Sequence, residues 1–146
     1  MMGTTTTDRL SNVLKSPKDI KNILEENELS ITSPTLQEHL EKTLYLKNMK
    51  RQDVIKAAQL DGNYANQLFN GHRAKPGREQ ALSLAFGFKL NKDEADRLLR
   101  AAGVGALHPK NKRDAVIIHS LENGKSIVQT NEILLSLGID VLHGRL

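Results

Sequence analysis

From Leu36 onward the apolar residues of this chain return every third or fourth position, and no stretch alternates with period two for long. Spacings of three and four put side chains on one face of an α-helix, whereas a strand needs every second residue. The pattern therefore predicts an all-α chain. Its helices must be short, because capping residues and breakers interrupt the pattern at close intervals.

Residues 1–16 are polar and Thr-rich, opening with "MMGTTTTDRL", and read as an arm. "SPKDIKNILEENE" (Ser16 to Glu28) begins with Ser and Pro, a helix-start signature, and predicts a short helix. Ser33 and Pro34 repeat that signal before "TLQEHLEKTLYLKNM", whose stripe Leu36, Leu40, Leu44 and Met49 predicts a first main helix reaching Met49. "RQDVIKAAQL" supplies a second, shorter helix with Val54, Ala57 and Ala58 inward. Asp61 is placed to cap a third helix that runs to about Asn70, where Gly71 stops it. "GREQALSLAFGFKL" and "NKDEADRLLRAAGV" predict a fourth and a fifth, the latter capped by Asn91 and stopped by Gly103. After the link "GALHPKNK" come "RDAVIIHSLENG" and "SIVQTNEILLSLGI", two more helices separated by Gly124. The expected organisation is an arm with a short helix (1–33), a central domain (34–104) and a C-terminal helical pair (105–146).

The last helix echoes the fifth. "ADRLLRAAGV" and "TNEILLSLGI" align at an offset of 35 (138 − 103), matching Leu98 with Ile133, Leu99 with Leu134 and Gly103 with Gly138. Two segments are too few for a solenoid, and many amphipathic helices end in Gly, so the expectation is coincidence.

A length of 146 residues suffices for one domain with a real core and some extra helices. The predicted core is Val54, Ala65, Leu68, Leu82, Leu84, Ala85, Leu98 and Leu99. With no Cys there is neither a disulfide nor a thiolate metal site, which suits a reducing compartment. No apolar run approaches the roughly 18 residues of a membrane span, and the first ten residues lack a signal peptide's apolar core. The expectation is a cytoplasmic protein without membrane contact.

Charge is placed unevenly. The chain carries 21 Lys plus Arg against 17 Asp plus Glu, a formal charge of +4. From Lys47 to Arg78 the cations are Lys47, Lys50, Arg51, Lys56, Arg73, Lys75 and Arg78, and the acids only Asp53 and Asp61, a local 7 − 2 = +5. A basic patch on a near-neutral protein is the electrostatic footprint of a nucleic-acid binder, and a solvated basic surface is the bland alternative.

Within that window, "DGNYANQLFNGHR" puts Asn63, Asn66, Gln67 and Asn70 on one helical stripe and Ala65, Leu68 and Phe69 on the other. Only about three residues, "QLD", separate this helix from the one before. Two short helices so joined cross steeply and make a helix-turn-helix, whose second helix enters the major groove of DNA. Asn and Gln both accept and donate, so they match the adenine edge in a way that Lys and Glu do not. Asn63, Asn66 and Gln67 are thus the candidate base readers, with Tyr64 beside them for stacking or thymine-methyl contact. Lys47, Lys50, Arg51, Gln52, Asn70, His72, Arg73, Lys75 and Arg78 are the candidate phosphate contacts.

Here the chain resembles the lambda-repressor-like helix-turn-helix family of Cro-type regulators, over roughly Thr35 to Gly103. The match is sharpest in "KRQDVIKAAQLDGNYANQLFNGHRAKPGREQALSLAFGFKL": Gln52 opening the second helix, Asp61 at the cap, Ala65 and Leu68 inward, "LFNG" closing the third helix, and Pro76 linking to a fourth. The resemblance implies a five-helix domain that binds operator DNA as a dimer. Three positions depart from it. Gln59 stands where the family usually has a turn Gly, which at positive φ carries strain of about 1 kcal/mol. Ile55 occupies a position usually small, and Gly62 one that often bears a contacting side chain.

Other chemistry finds little support. His39, His72, His108, His119 and His143 show neither an i, i+4 pair nor a zinc-type cluster. "GVG" at Gly103 to Gly105 follows no strand, and Asp93, Glu94 and Asp96 sit in a helix's first turn, where the helix dipole accounts for them. No Gly-x-Ser-x-Gly elbow occurs. The expectation is no enzyme, no cofactor and no metal. Aromatics are 3% of the chain, too few for a single-strand binder built on stacked bases, so double-stranded DNA is the expected partner.

Two functions follow. The first is a sequence-specific regulator of transcription, a repressor, whose C-terminal pair dimerises through surplus apolar residues: Val116, Ile117, Leu121, Ile127, Ile133, Leu134, Leu135 and Leu137. The second is a protein-interaction module, an antitoxin or inhibitor that holds a protein partner on the same scaffold. It draws on the two segments, Asp8 to Ser33 and Leu107 to Leu146, that the family domain does not require.

Overall fold

Capping side chains mark where each helix begins. A computed structural model describes residues 35–143; the N-terminal arm, its expected Ser16 to Glu28 helix included, lies outside the described residues. The described residues hold seven helices and no strand: α1 (Leu36–Lys47), α2 (Arg51–Ala58), α3 (Gly62–Phe69), α4 (Arg78–Gly87), α5 (Lys92–Ala101), α6 (Lys112–Glu122) and α7 (Ile127–Ser136). Each of the seven helices predicted from Leu36 onward is present.

The details differ from expectation at two places. Helix α1 is capped by Thr35, whose hydroxyl accepts from the Glu38 amide while Glu38 returns a bond to the Thr35 amide; this capping box satisfies two otherwise unpaired amides. It ends at Lys47 rather than Met49, because Asn48 turns into the left-handed region at φ 53°. Along α2, Ala57 is exposed instead of inward. Val54, Ile55 and Ala58 form its buried face, an arc centred near Ala58 at roughly 100° per residue, and Ala57 falls about 100° outside that centre.

Helices α1 to α5 interlock non-sequentially. Helix α2 packs chiefly on α4, α1 on α3 and α5, and α4 on α5. All eight predicted core residues are at most 1% exposed. Helix α4 lies deepest, with every residue from Gln80 to Phe88 buried. Gly87 makes the α2–α4 approach feasible, because a Cβ there would stand 2.5 Å from the Val54 carbonyl oxygen and 2.9 Å from the Ala58 methyl.

The C-terminal pair shares this core. Leu107, Ile117, Leu121, Ile127, Leu134 and Leu142 belong to the same apolar cluster as Leu40, Phe69 and Leu99. It also overturns the expectation that the echo at an offset of 35 is coincidence. Arg78 donates to the carbonyls of Gly105 and Ala106 and to the carboxylate of Asp114. Thirty-five residues on, Arg113 donates to the carbonyls of Asp140 and Val141 and to the carboxylate of Glu79. The amide of His108 bonds to Asp114 and that of His143 to Glu79. The amide of Leu107 bonds to Asp96, and that of Leu142 to Asn131. Asn91 with Glu94 and Ser126 with Gln129 form matching capping boxes.

The hairpins α4–α5 and α6–α7 are therefore two versions of one unit. Reciprocal exchange, in which Arg78 meets Asp114 and Arg113 meets Glu79, is what an approximate two-fold axis produces. The sequence match is thin because the unit is held by an Arg, a carboxylate and loop carbonyls, and only the first two are side chains.

Candidate nucleic-acid interface

The turn between α2 and α3 consists of Gln59, Leu60 and Asp61. Gln59 takes the left-handed conformation at φ 56°, ψ 35°, where its amide reaches the Ile55 and Lys56 carbonyls and closes α2. A residue with a Cβ carries roughly 1 kcal/mol of strain there. Leu60 is buried and pins the turn, and Asp61 caps α3 by accepting from the Tyr64 amide at 3.0 Å.

Helix α3 divides as its sequence predicts. Ala65, Leu68 and Phe69 have no exposed surface, while Asn63, Asn66, Gln67 and Asn70 are all exposed. Two arginines organise this outer face. Arg51, at the start of α2, lays its guanidinium 5.1 Å from the centre of the Phe69 ring and donates to Oδ1 of Asn70 at 2.9 Å and Oδ1 of Asn66 at 3.4 Å. Glu41 of α1 holds it from a third side at 3.3 Å. Arg73, in the loop after α3, sits 5.1 Å over the Tyr64 ring and donates from Nε to Oε1 of Gln67 at 3.1 Å. Tyr64 is half-buried, and that burial raises its phenol pKa, with Arg73 and the Gly77 amide opposing the shift. It therefore serves as a pillar under Arg73 more than as a free stacking surface.

Asn63 makes no side-chain hydrogen bond among the described residues, and Lys50, Gln52, His72 and Lys75 are exposed. An open groove of about 530 Å³ runs between α2 and α3, lined by Arg51, Gln52, Ile55, Lys56, Leu60, Gly62 and Asn66. Nothing lies within 4 Å of where a Gly62 Cβ would stand, so its lack of a side chain widens that groove. Lys56 lines it although the sequence marked that residue only as part of the local charge.

Three candidate phosphate contacts are ion-paired. Lys47 pairs with Glu94 at 3.0 Å, and Arg78 is the clamp of the first hairpin. With Arg51 on Glu41, three acids from outside the basic window are brought onto its cations, and the local surplus falls from +5 to 5 − 3 = +2. The organising role of Arg51 left no trace in the sequence, because its partners lie 10 to 19 residues away on other elements. Among the described residues no helix is long and apolar enough to cross a membrane. Comparison with protein-family models, curated proteins and solved structures finds no match.

Proposed function

We propose that this protein is a sequence-specific duplex-DNA-binding regulator of transcription, a repressor, built on a lambda-repressor-like five-helix domain formed by α1 to α5. One observation carries the reading: an eight-residue helix, joined to its predecessor by three residues, turns an unbroken row of amides outward between two arginines. A solvated face has no need of that selection. Amides and guanidinium groups at the same helical face match base edges and phosphates respectively.

Regulators of this kind engage two half-sites as a pair of chains. The proposed surface for a second copy is the outer face of α7. Of the residues expected to dimerise, Ile117, Leu121, Ile127 and Leu134 are buried in the chain's own core. Val116 and Ile133 are half-buried; Leu135 and Leu137 are exposed at 72% and 59%, and Val128, two turns before Leu135 on the same helix face, is exposed at 53%. In the sister helix α5 the positions matching Val128, Glu132 and Leu135 are Asp93, Arg97 and Arg100, all exposed. The hairpin fold thus has no need of apolar residues there. Light scattering should give a dimer at tens of micromolar for the native chain and a monomer for Leu135→Glu.

The decisive measurement is a fluorescence-anisotropy titration against the duplex upstream of the protein's own reading frame and a scrambled duplex, at low and physiological salt. Specific binding keeps a preference of about a thousandfold when salt rises. Equal, salt-sensitive affinity for both would reduce the site to a basic patch. Loss of all binding, with a stoichiometric protein partner on native purification, would favour the interaction-module reading.

A further inference from the structure

The arginines fix which end of each amide faces outward. Arg carries five N–H donors and no acceptor, so an amide bonded to it must turn its carbonyl oxygen toward the guanidinium. Oδ1 of Asn70 and Oδ1 of Asn66 face Arg51, and Oε1 of Gln67 faces Arg73. Because the amide group is planar with oxygen and nitrogen on opposite branches, the NH₂ of each of these three exposed residues projects away from the arginine that holds its oxygen. Of the four amides in the row, Asn63 is the one that makes no side-chain hydrogen bond among the described residues.

We infer that α3 presents a row of hydrogen-bond donors, and that its ligand is an acceptor-rich major-groove edge centred on guanine rather than the adenine edge expected from the residue types. The inference rests on the DNA-binding reading above. Guanine offers two adjacent acceptors, N7 and O6, in the major groove, whereas adenine sets a donor, the N6 amino group, beside its N7. An outward NH₂ meets either guanine acceptor; against the adenine N6 group it sets donor against donor. Paired accept-and-donate bonding to adenine then holds for Asn63, and Gln67 and Asn66 read differently because of partners supplied by α2 and the loop after α3.

The experiment begins with selection of the full-length chain on a randomised duplex pool, followed by base-analogue substitution in the site recovered. Replacing the contacted guanine with 7-deazaguanine removes N7 and should weaken binding about 5- to 20-fold, of the order of one good base contact. Replacing neighbouring adenines with purine, which removes N6, should leave affinity within about twofold except opposite Asn63. Arg73→Met, at an exposed loop position, frees the Gln67 carbonyl and should move the preference at one base pair from guanine toward adenine. A native site that depends on adenine N6 at several positions and ignores guanine N7 would overturn the inference while leaving DNA reading intact. Failure to enrich any sequence would overturn both.

Discussion

The two hairpins share one set of bonds and live in different surroundings. In α4–α5 every residue from Gln80 to Phe88 is buried; in the matching stretch of α6, from Ala115 to Asn123, only Ile117, Ser120 and Leu121 are. Leu84 corresponds to His119, Gly87 to Glu122, Phe88 to Asn123 and Leu90 to Lys125. Bonding at the hairpin ends specifies the unit, and the neighbours then decide the composition. The first hairpin has helix α2 across its back and must be apolar there, with a glycine at the closest approach. Its sister meets solvent at the same positions.

The two hairpins are joined most tightly in their shared core. Leu99 and Leu134 are matched and both fully buried, so Ala at either should cost about 2 to 5 kcal/mol in a single cooperative transition, measured by denaturant unfolding. A separate early transition in Leu134→Ala would mean that the second hairpin melts by itself.

The clamps should differ in strength. Arg78→Ala strands Asp114, whose side chain is 6% exposed, and should cost about 3 kcal/mol. Arg113→Ala leaves Glu79 at 29% exposure, where water replaces part of what is lost, for about 1 to 2 kcal/mol. Equal costs would show that burial does not separate the two copies.

At the α2 crossing, Gly87→Ala should cost about 1 to 3 kcal/mol through overpacking on the α2 backbone. Glu122→Ala, at the matched position, loses one exposed bond from the Lys92 amide, about 0.5 to 1 kcal/mol.

Acid weakens the Arg113–Glu79 clamp. The hydrogen bonds from Arg113, opposed by burial and aided by the His143 amide, hold the Glu79 carboxyl below its ordinary value of 4.5. A carboxylate whose folded pKa is depressed stabilises the fold above its unfolded value; that contribution fades as pH falls below 4.5 through the folded value. Unfolding free energy measured from pH 7 to 3 should therefore drop less steeply in Glu79→Gln than in the native chain.

The smallest effects come from lending residues between sisters. Ser120 has a buried hydroxyl with no partner among the described residues, and its counterpart is Ala85, so Ser120→Ala should stabilise by about 1 kcal/mol. Lys89 holds φ 59° where its counterpart is Gly124 at φ 66°, and Lys89→Gly should stabilise by about 0.5 kcal/mol. Thermal midpoints that fall instead would show that these positions are not equivalent.

Helix number and boundaries were legible because caps and stops are local: Asp61, Asn91, Gly71 and Gly103 act on backbone within a few residues. The amide stripe was legible for the same reason, since helical periodicity separates Asn66 and Gln67 from Ala65 and Leu68 without reference to anything else. Lys47 and Arg78 were legible as cations and illegible as ion-paired ones, because Glu94 and Asp114 lie 47 and 36 residues away.

Local chain chemistry was enough to specify what depends on neighbours along the chain: the seven helices of the described residues, their buried faces save at Ala57, and an outward row of amides on one of them. Tertiary structure decided what depends on neighbours across space. It joined the hairpins through reciprocal arginines, ion-paired three cations of the basic window, and turned three amide oxygens onto two arginines. A side chain's identity sets the bonds it is able to make, and only the fold sets which of them are already taken.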